Sequence, residues 1–237
     1  MKIKRRLKKS VYNLIIVVLI AMLGYSVFNL AKIYFDGVNA KSSAKKIQEI
    51  KYEKAVAKSE ETPVKSLKEI NEDYIGWIKI DDTIIDYPIV QTTNNDYYLN
   101  HSFEKEHTKY GAIFADYRSD LSMKNNFIIY GHYMQDGQMF GALHKYKNQE
   151  FLKNHDVINL EINNQTYTYR VKIVAYMDLE KEGAFDYTDL SVGMNTYNEL
   201  VKPFASYYEP VTDNVLILST CASYTDDTRL FVVLQQE

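Results

Sequence analysis

The chain holds one cysteine, Cys221, in 237 residues. An intrachain disulfide is therefore excluded. Only 4 prolines and 9 glycines are present, and there is no internal repeat and no low-complexity segment. No glycine-rich phosphate loop or dinucleotide fingerprint occurs, which removes the usual sequence grounds for a nucleotide cofactor. His101 and His107 stand six apart with no cysteine or second histidine pair nearby, so a metal centre has little support. The net charge of −3 gives no hint of nucleic-acid binding.

What the chain does have is tyrosine, 21 of them, and aromatics suit the pleated surface of a β-sheet. Its charge is also unevenly placed. "MKIKRRLKK" carries six cations, and beyond it 22 Lys and Arg face 31 Asp and Glu. Residues 10–31, "SVYNLIIVVLIAMLGYSVFNLA", carry no charge at all. A helix of ~20 apolar residues crosses the ~30 Å of a bilayer's hydrocarbon. Basic residues before such a span stay on the cytoplasmic side, which puts the rest of the chain outside. A cleaved signal peptide and a buried core helix are the competing readings, and "VNA" at 38–40 mimics a cleavage site. The uncharged span is longer than the ~7–15 apolar residues of a signal peptide.

The expected organisation is a cytoplasmic basic tail at 1–9, a transmembrane anchor at 10–31, a helical stalk or linker at 32–66, and an extracellular domain at 67–237. Ser66 and Glu69 form a capping box for a short helix in "SLKEINEDY". From Tyr74 onward the pattern becomes β. Eight runs read as strands: "YIGWIKID", "TIIDYPIVQ", "YGAIFAD", "NNFIIYGH", "DVINLEI", "QTYTYRVKIVAYMDL", "NVLILST" and "RLFVVLQ". Asn163 and Asn164 make a hairpin turn. Helical interruptions are expected at 94–100, 140–146 and 194–207. No regular βαβ rhythm appears, so the fold class is mostly β with inserted helices, a largely antiparallel barrel or sandwich.

Cys221 ends the apolar run "VLIL", where a strand meets the polar loop "ASYTDDT". An unpaired cysteine outside the membrane points to a reactive thiol or an intermolecular bridge, although free cysteine also makes a good small core residue. A thiol nucleophile needs a proton acceptor. His101, His107, His144 and His155 lie in polar or helical contexts and read as surface residues. His132 instead follows the strand "NNFIIYG". A lone histidine is more often structural, but here it shares a strand end with complementary chemistry. Acyl transfer also needs a donor for the oxyanion. Arg229 opens the strand after Cys221; its alternative is a solubilising edge arginine. Asp226 and Asp227 could orient His132 and equally suit a turn.

Together these residues resemble the sortase family. "LSTC" with an arginine eight residues on matches the signature TLxTC…R, with Ile217 where the signature often has Thr. "IIYGH" resembles the family's histidine motif. "DYPIVQ", "NDYYLNHSF", "GAIFADYRS" and the long segment 186–210 are similar to class B members. The resemblance spans residues 67–237. It implies an eight-stranded sortase-type β-barrel and a cysteine transpeptidase. Cys221 would be the nucleophile, His132 the acid/base, and Arg229 the residue that holds substrate and oxyanion. Ser219 and Thr220 would line the groove, with Tyr130, Asn95 and Leu99 as further substrate contacts. The partners implied are secreted proteins with a C-terminal sorting signal, NPxTN-like in class B and cleaved after Thr, and an amine of the peptidoglycan cross-bridge on a Gram-positive cell. The membrane is a partner through the N-terminal helix. No cofactor is implied. A membrane-anchored cysteine peptidase using water, and a non-catalytic surface binding domain, are the alternative functions.

Overall fold

The computed structural model describes residues 9–56, 67–124, 126–178, 193–221 and 228–237. A long helix, α1 (Lys9–Val56), opens the chain. It divides between two compact units, residues 1–43 and 44–237. In the first unit the helix is long and apolar enough to cross a membrane, and its large apolar side chains are exposed, Leu23 and Phe28 among them.

The second unit begins within the segment expected as a stalk. Ile47 is buried, Gln48 donates to the Asp86 carbonyl at 2.8 Å, and Lys51 pairs with Glu161 at 2.6 Å. Tyr52 donates to the Asp86 carboxylate. The last turns of α1 are thereby part of the globular unit.

A short helix α2 (Leu67–Ile70) follows; its expected cap, Ser66, lies outside the described residues. Strands β1 (Tyr74–Lys79) and β2 (Asp86–Val90) pair antiparallel. β2 runs parallel to β3 (Ile113–Ala115), and β3 antiparallel to β4 (Phe127–Tyr130). After α3 (Gln149–Asn154) come β5 (Val157–Ile162) and the 14-residue β6 (Gln165–Asp178). Asn163 and Asn164 join β5 to β6 with φ of 50° and 64°, the left-handed pair of a two-residue hairpin turn, which asparagine tolerates. After α4 (Met194–Val201) come β7 (Ala205–Tyr208), β8 (Val215–Cys221) and β9 (Thr228–Gln236).

The sheet order is β5-β1-β2-β3-β4-β8-β9-β6-β7, and β5 also pairs with β6. That extra pairing closes eight strands into a barrel, as expected. β7 stands outside the ring. It binds the part of β6 that β5 leaves uncovered, Ile173 opposite Tyr208, while β5 ends at Arg170 of β6. The helix expected over 194–207 therefore stops early. α4 gives way to a 3-10 turn at Lys202–Phe204 and then to β7. Pro203 has no N–H to continue a helix, and the aromatics of "ASYY" suit an edge strand.

The other expected interruptions are tight 3-10 turns, Tyr97–Leu99 and Phe140–Lys147. Among the described residues two pairings are parallel, β2–β3 and β4–β8. The β4–β8 pair positions the site. It brings two strands far apart in sequence to one end of the barrel, both running the same way.

Candidate active site

β4 and β8 pair in parallel from Phe127 opposite Leu216 to Tyr130 opposite Ser219. The Gly131 N–H donates to the Ser219 carbonyl at 3.2 Å and extends the ladder by one step. His132 lies two residues beyond Tyr130, and Cys221 two beyond Ser219. β8 and β9 then pair antiparallel with Cys221 opposite Arg229. Three adjacent strands thus deliver His132, Cys221 and Arg229 to one end of the sheet.

Strand alternation adds a face to that end. Ile128, Ile217, Phe231 and Val233 share a core cluster with Tyr197 and Val201 of α4, and Tyr130 packs against it. Ser219 and Arg229 have the parity of this face. Ser219 is buried and Arg229 half-buried. Ile217 is 1% exposed, so the apolar residue at this signature position serves packing against α4. Thr220 has the opposite parity. It is buried, and its Oγ1 finds no hydrogen-bond partner among the described residues. Of the two residues before the cysteine, only Ser219 shares the strand face of Ile217.

His132 is held from the side of the 3-10 turn. Its Nε2 lies 2.5 Å from the Leu99 carbonyl oxygen. A carbonyl only accepts, so Nε2 carries the hydrogen and donates it. Nδ1 is left as the nitrogen that can exchange a proton. The His132 carbonyl accepts from the Phe140 N–H at 3.0 Å, which closes the loop behind the ring. Gly111 makes the Leu99 contact possible. At its φ of +60°, a Cβ would sit 2.5 Å from the Tyr98 oxygen, 2.9 Å from the Leu99 oxygen and 3.0 Å from His132 Cδ2.

Asn95 and Tyr130 meet at a residue the sequence did not single out. Asp116 is fully buried. Its Oδ2 accepts from Tyr130 Oη at 2.9 Å, Asn95 Nδ2 at 3.0 Å and Arg118 Nη2 at 2.8 Å. Its Oδ1 accepts from Arg118 Nε at 2.8 Å and the Arg118 N–H at 2.9 Å. Burial pushes the Asp116 carboxyl up, but Arg118, Tyr130 and Asn95 together outweigh it and hold it below the usual carboxylate range. Asn95 Oδ1 also accepts from the Tyr117 N–H at 3.0 Å. Leu99 is exposed, at 43%.

Asp226 and Asp227 lie outside the described residues. Of the other histidines, His101, His144 and His155 are half-buried and serve local structure, and only His107 lies on open surface as expected. His101 stacks on Tyr97 at 4.1 Å and His155 on Phe151 at 4.0 Å. Each places Nδ1 2.8 Å from the carbonyl four residues earlier. His144 lies 4.3 Å from the Tyr133 ring, and His107 is exposed.

The family model for the sortase domain matches residues 78–237. The chain belongs to the sortase family. Sortase B of Listeria monocytogenes is 35% identical over 179 residues, covering 73% of this chain and 72% of that protein. Sortase B of Staphylococcus aureus is 29% identical over 246 residues, covering 99% of this chain and 97% of the relative. Among solved structures, sortase B from B. anthracis in complex with AAEK1 superposes with a TM-score of 0.69 at 31% identity, covering 86% of this chain and 100% of that one. The sortase is of class B, and its closed eight-stranded barrel is the one these relatives share. It is a cysteine transpeptidase of cell-wall anchoring.

Proposed function

We propose that Cys221 is the nucleophile of this sortase, His132 its proton carrier and Arg229 its oxyanion donor. The observation that carries the reading is the register: Tyr130 opposite Ser219 and Cys221 opposite Arg229. His132 Nδ1 takes the Cys221 thiol proton, the sulfur attacks the carbonyl after the threonine of a sorting signal, and an S–C bond forms. The oxygen becomes an oxyanion, toward which the Arg229 guanidinium donates. The C–N bond then breaks, and the leaving amine takes a proton from His132 Nδ1, since Nε2–H is engaged with Leu99. An incoming amine attacks the thioester, gives its proton back to His132 and expels the thiolate. Asn95, Leu99, Tyr130 and Ser219 border the bound peptide.

The preferred signal is NPxTN-like, and the acceptor is an amine of the peptidoglycan cross-bridge in a Gram-positive wall. Residues 1–9 remain in the cytoplasm, 10–31 cross the membrane once, and the expected stalk, 32–66, leads outside to the catalytic domain at 67–237, against which its turns from residue 44 onward pack. The uncharged span, the basic residues before it and the exposed apolar side chains of the helix support this topology. A digest of an NPxTN-type peptide with triglycine added tests the reaction. Ligated peptide should accumulate with the parent enzyme and be absent with Cys221→Ala. Hydrolysis unaffected by triglycine would overturn the transpeptidase assignment for this signal.

A further inference from the structure

We infer that Asp116 is a positioning residue that fixes the hydrogen-bonding polarity of the peptide groove through Tyr130 and Asn95. The inference rests on the proposed groove. A phenol has one proton, and Tyr130 spends it on the Asp116 carboxylate. Toward a bound peptide the Tyr130 oxygen is therefore an acceptor, matched to an amide N–H of the substrate. Asn95 is oriented from both ends. One amide hydrogen goes to Asp116, and its oxygen accepts from the Tyr117 N–H, so the flip of this amide is decided.

The carboxylate can hold this pattern because it is ionised and fully buried. Arg118 supplies the countercharge through two side-chain donors and its own N–H. The Gln91 amide ties the strand end down by donating to the Asp116 and Ser119 carbonyls at 2.8 and 2.9 Å. The chain segments carrying Asn95, Asp116 and Tyr130 are thus clamped to one another at the border of the proposed groove. The substrate class this selects is a peptide that offers N–H donors to the Tyr130 side.

Asp116→Asn is the informative change, because it keeps shape and alters polarity. The two Arg118 donors at Oδ1 require an acceptor there, which leaves the amide nitrogen in the place of Oδ2. That NH2 then faces three donors, from Tyr130, Asn95 and Arg118. The Tyr130 hydroxyl turns to accept from it and presents its proton to the substrate instead.

The test is steady-state kinetics on an NPxTN-type peptide, with alkylation of Cys221 by iodoacetamide measured beside it. Asp116→Asn should raise KM about tenfold, the scale of one lost charge-assisted hydrogen bond, with kcat within about threefold and alkylation within about twofold of the parent. Tyr130→Phe should raise KM in the parent and add little in the Asp116→Asn background, because both changes remove the same contact. Additive effects, or a parent KM in Asp116→Asn, would overturn the inference. If Asp116→Asn does not fold, Tyr130→Phe and Asn95→Ala decide: raised KM in both supports it, parent KM in both refutes it. Cys221→Ala separates the two levels. Turnover surviving in that variant sinks the catalytic reading, whereas parent KM in the Asp116 variants with Cys221→Ala inactive sinks this inference alone.

Discussion

Gly111→Ala tests how His132 is aimed. The alanine must hold a left-handed φ near +60°, which costs about 1 kcal/mol or somewhat more for a residue with a Cβ. The larger cost is contact. The Cβ would meet the Tyr98 oxygen at 2.5 Å, and that oxygen already accepts from the Ala112 N–H at 3.0 Å. Moving it weakens a buried backbone bond, worth about 1 kcal/mol or more. The sum is about 2–4 kcal/mol, a fall in melting temperature of roughly 5–15 °C for a unit of this size. The same Cβ pushes the Leu99 carbonyl away from His132 Nε2, so the ring loses its orienting acceptor. kcat/KM should fall at least about tenfold among folded molecules, as loss of a positioned acid/base group implies. Gly137→Ala is the control. Its φ is +81°, but nothing lies within 4 Å of the added carbon, so it should lower the melting temperature by only a few degrees and spare turnover. Calorimetry and peptide kinetics on both variants are the measurement. A folded Gly111→Ala enzyme with parent kcat/KM would refute the orienting role of the Leu99 carbonyl.

Arg229→Ala should cut kcat/KM by ~10²–10³-fold, the cost of one lost oxyanion donor, and Arg229→Lys should recover little because the planar fork is gone; near-parent turnover in the lysine variant would show that charge alone suffices. Asp116 has a depressed folded pKa, so its contribution is present above the unfolded carboxylate pKa of about 3.9 and is lost as pH falls through the folded value. Acid melts should therefore show a shallower stability loss below about pH 4 in Asp116→Asn than in the parent, and parallel curves would contradict the paired carboxylate. Tyr87 is pushed up to about 12, chiefly by burial; it favours the folded state below its unfolded pKa near 10, and that contribution should disappear as pH rises toward about 12, read as alkaline unfolding that Tyr87→Phe delays. Thr220→Val removes a buried hydroxyl without a partner among the described residues and should melt at or above the parent temperature; a clear drop would mean that the hydroxyl is satisfied in solution.

The barrel was legible because its signals are local. Each strand of the ring is an apolar or alternating run bounded by turn residues, and Asn163–Asn164 announced their hairpin. β7 was not, because "ASYY" follows a helical stretch without a turn marker and pairs only where β5 leaves β6 uncovered. Cys221, His132 and Arg229 stood out by chemistry and by their place at strand ends, but the parallel β4–β8 register that brings them together is a long-range fact no local pattern carries. Asp116 was missed for a related reason. Inside "GAIFADYRS" an aspartate before a polar turn reads as solvated, and only the fold shows it buried beneath Tyr130 and Asn95. The resemblance placed Thr220 beside Ser219 in the groove, and only the strand register shows that the two face opposite ways.

The most direct test of the account is the intact mass of the enzyme during reaction with an NPxTN-type peptide in the absence of an amine. A thioester at Cys221 predicts a mass gain equal to the acyl fragment ending at Thr, located on Cys221 by peptide mapping. Triglycine should remove the added mass as ligated product appears, and Cys221→Ala should gain no mass. Acylation at any other residue, or turnover of this peptide by Cys221→Ala, would contradict it.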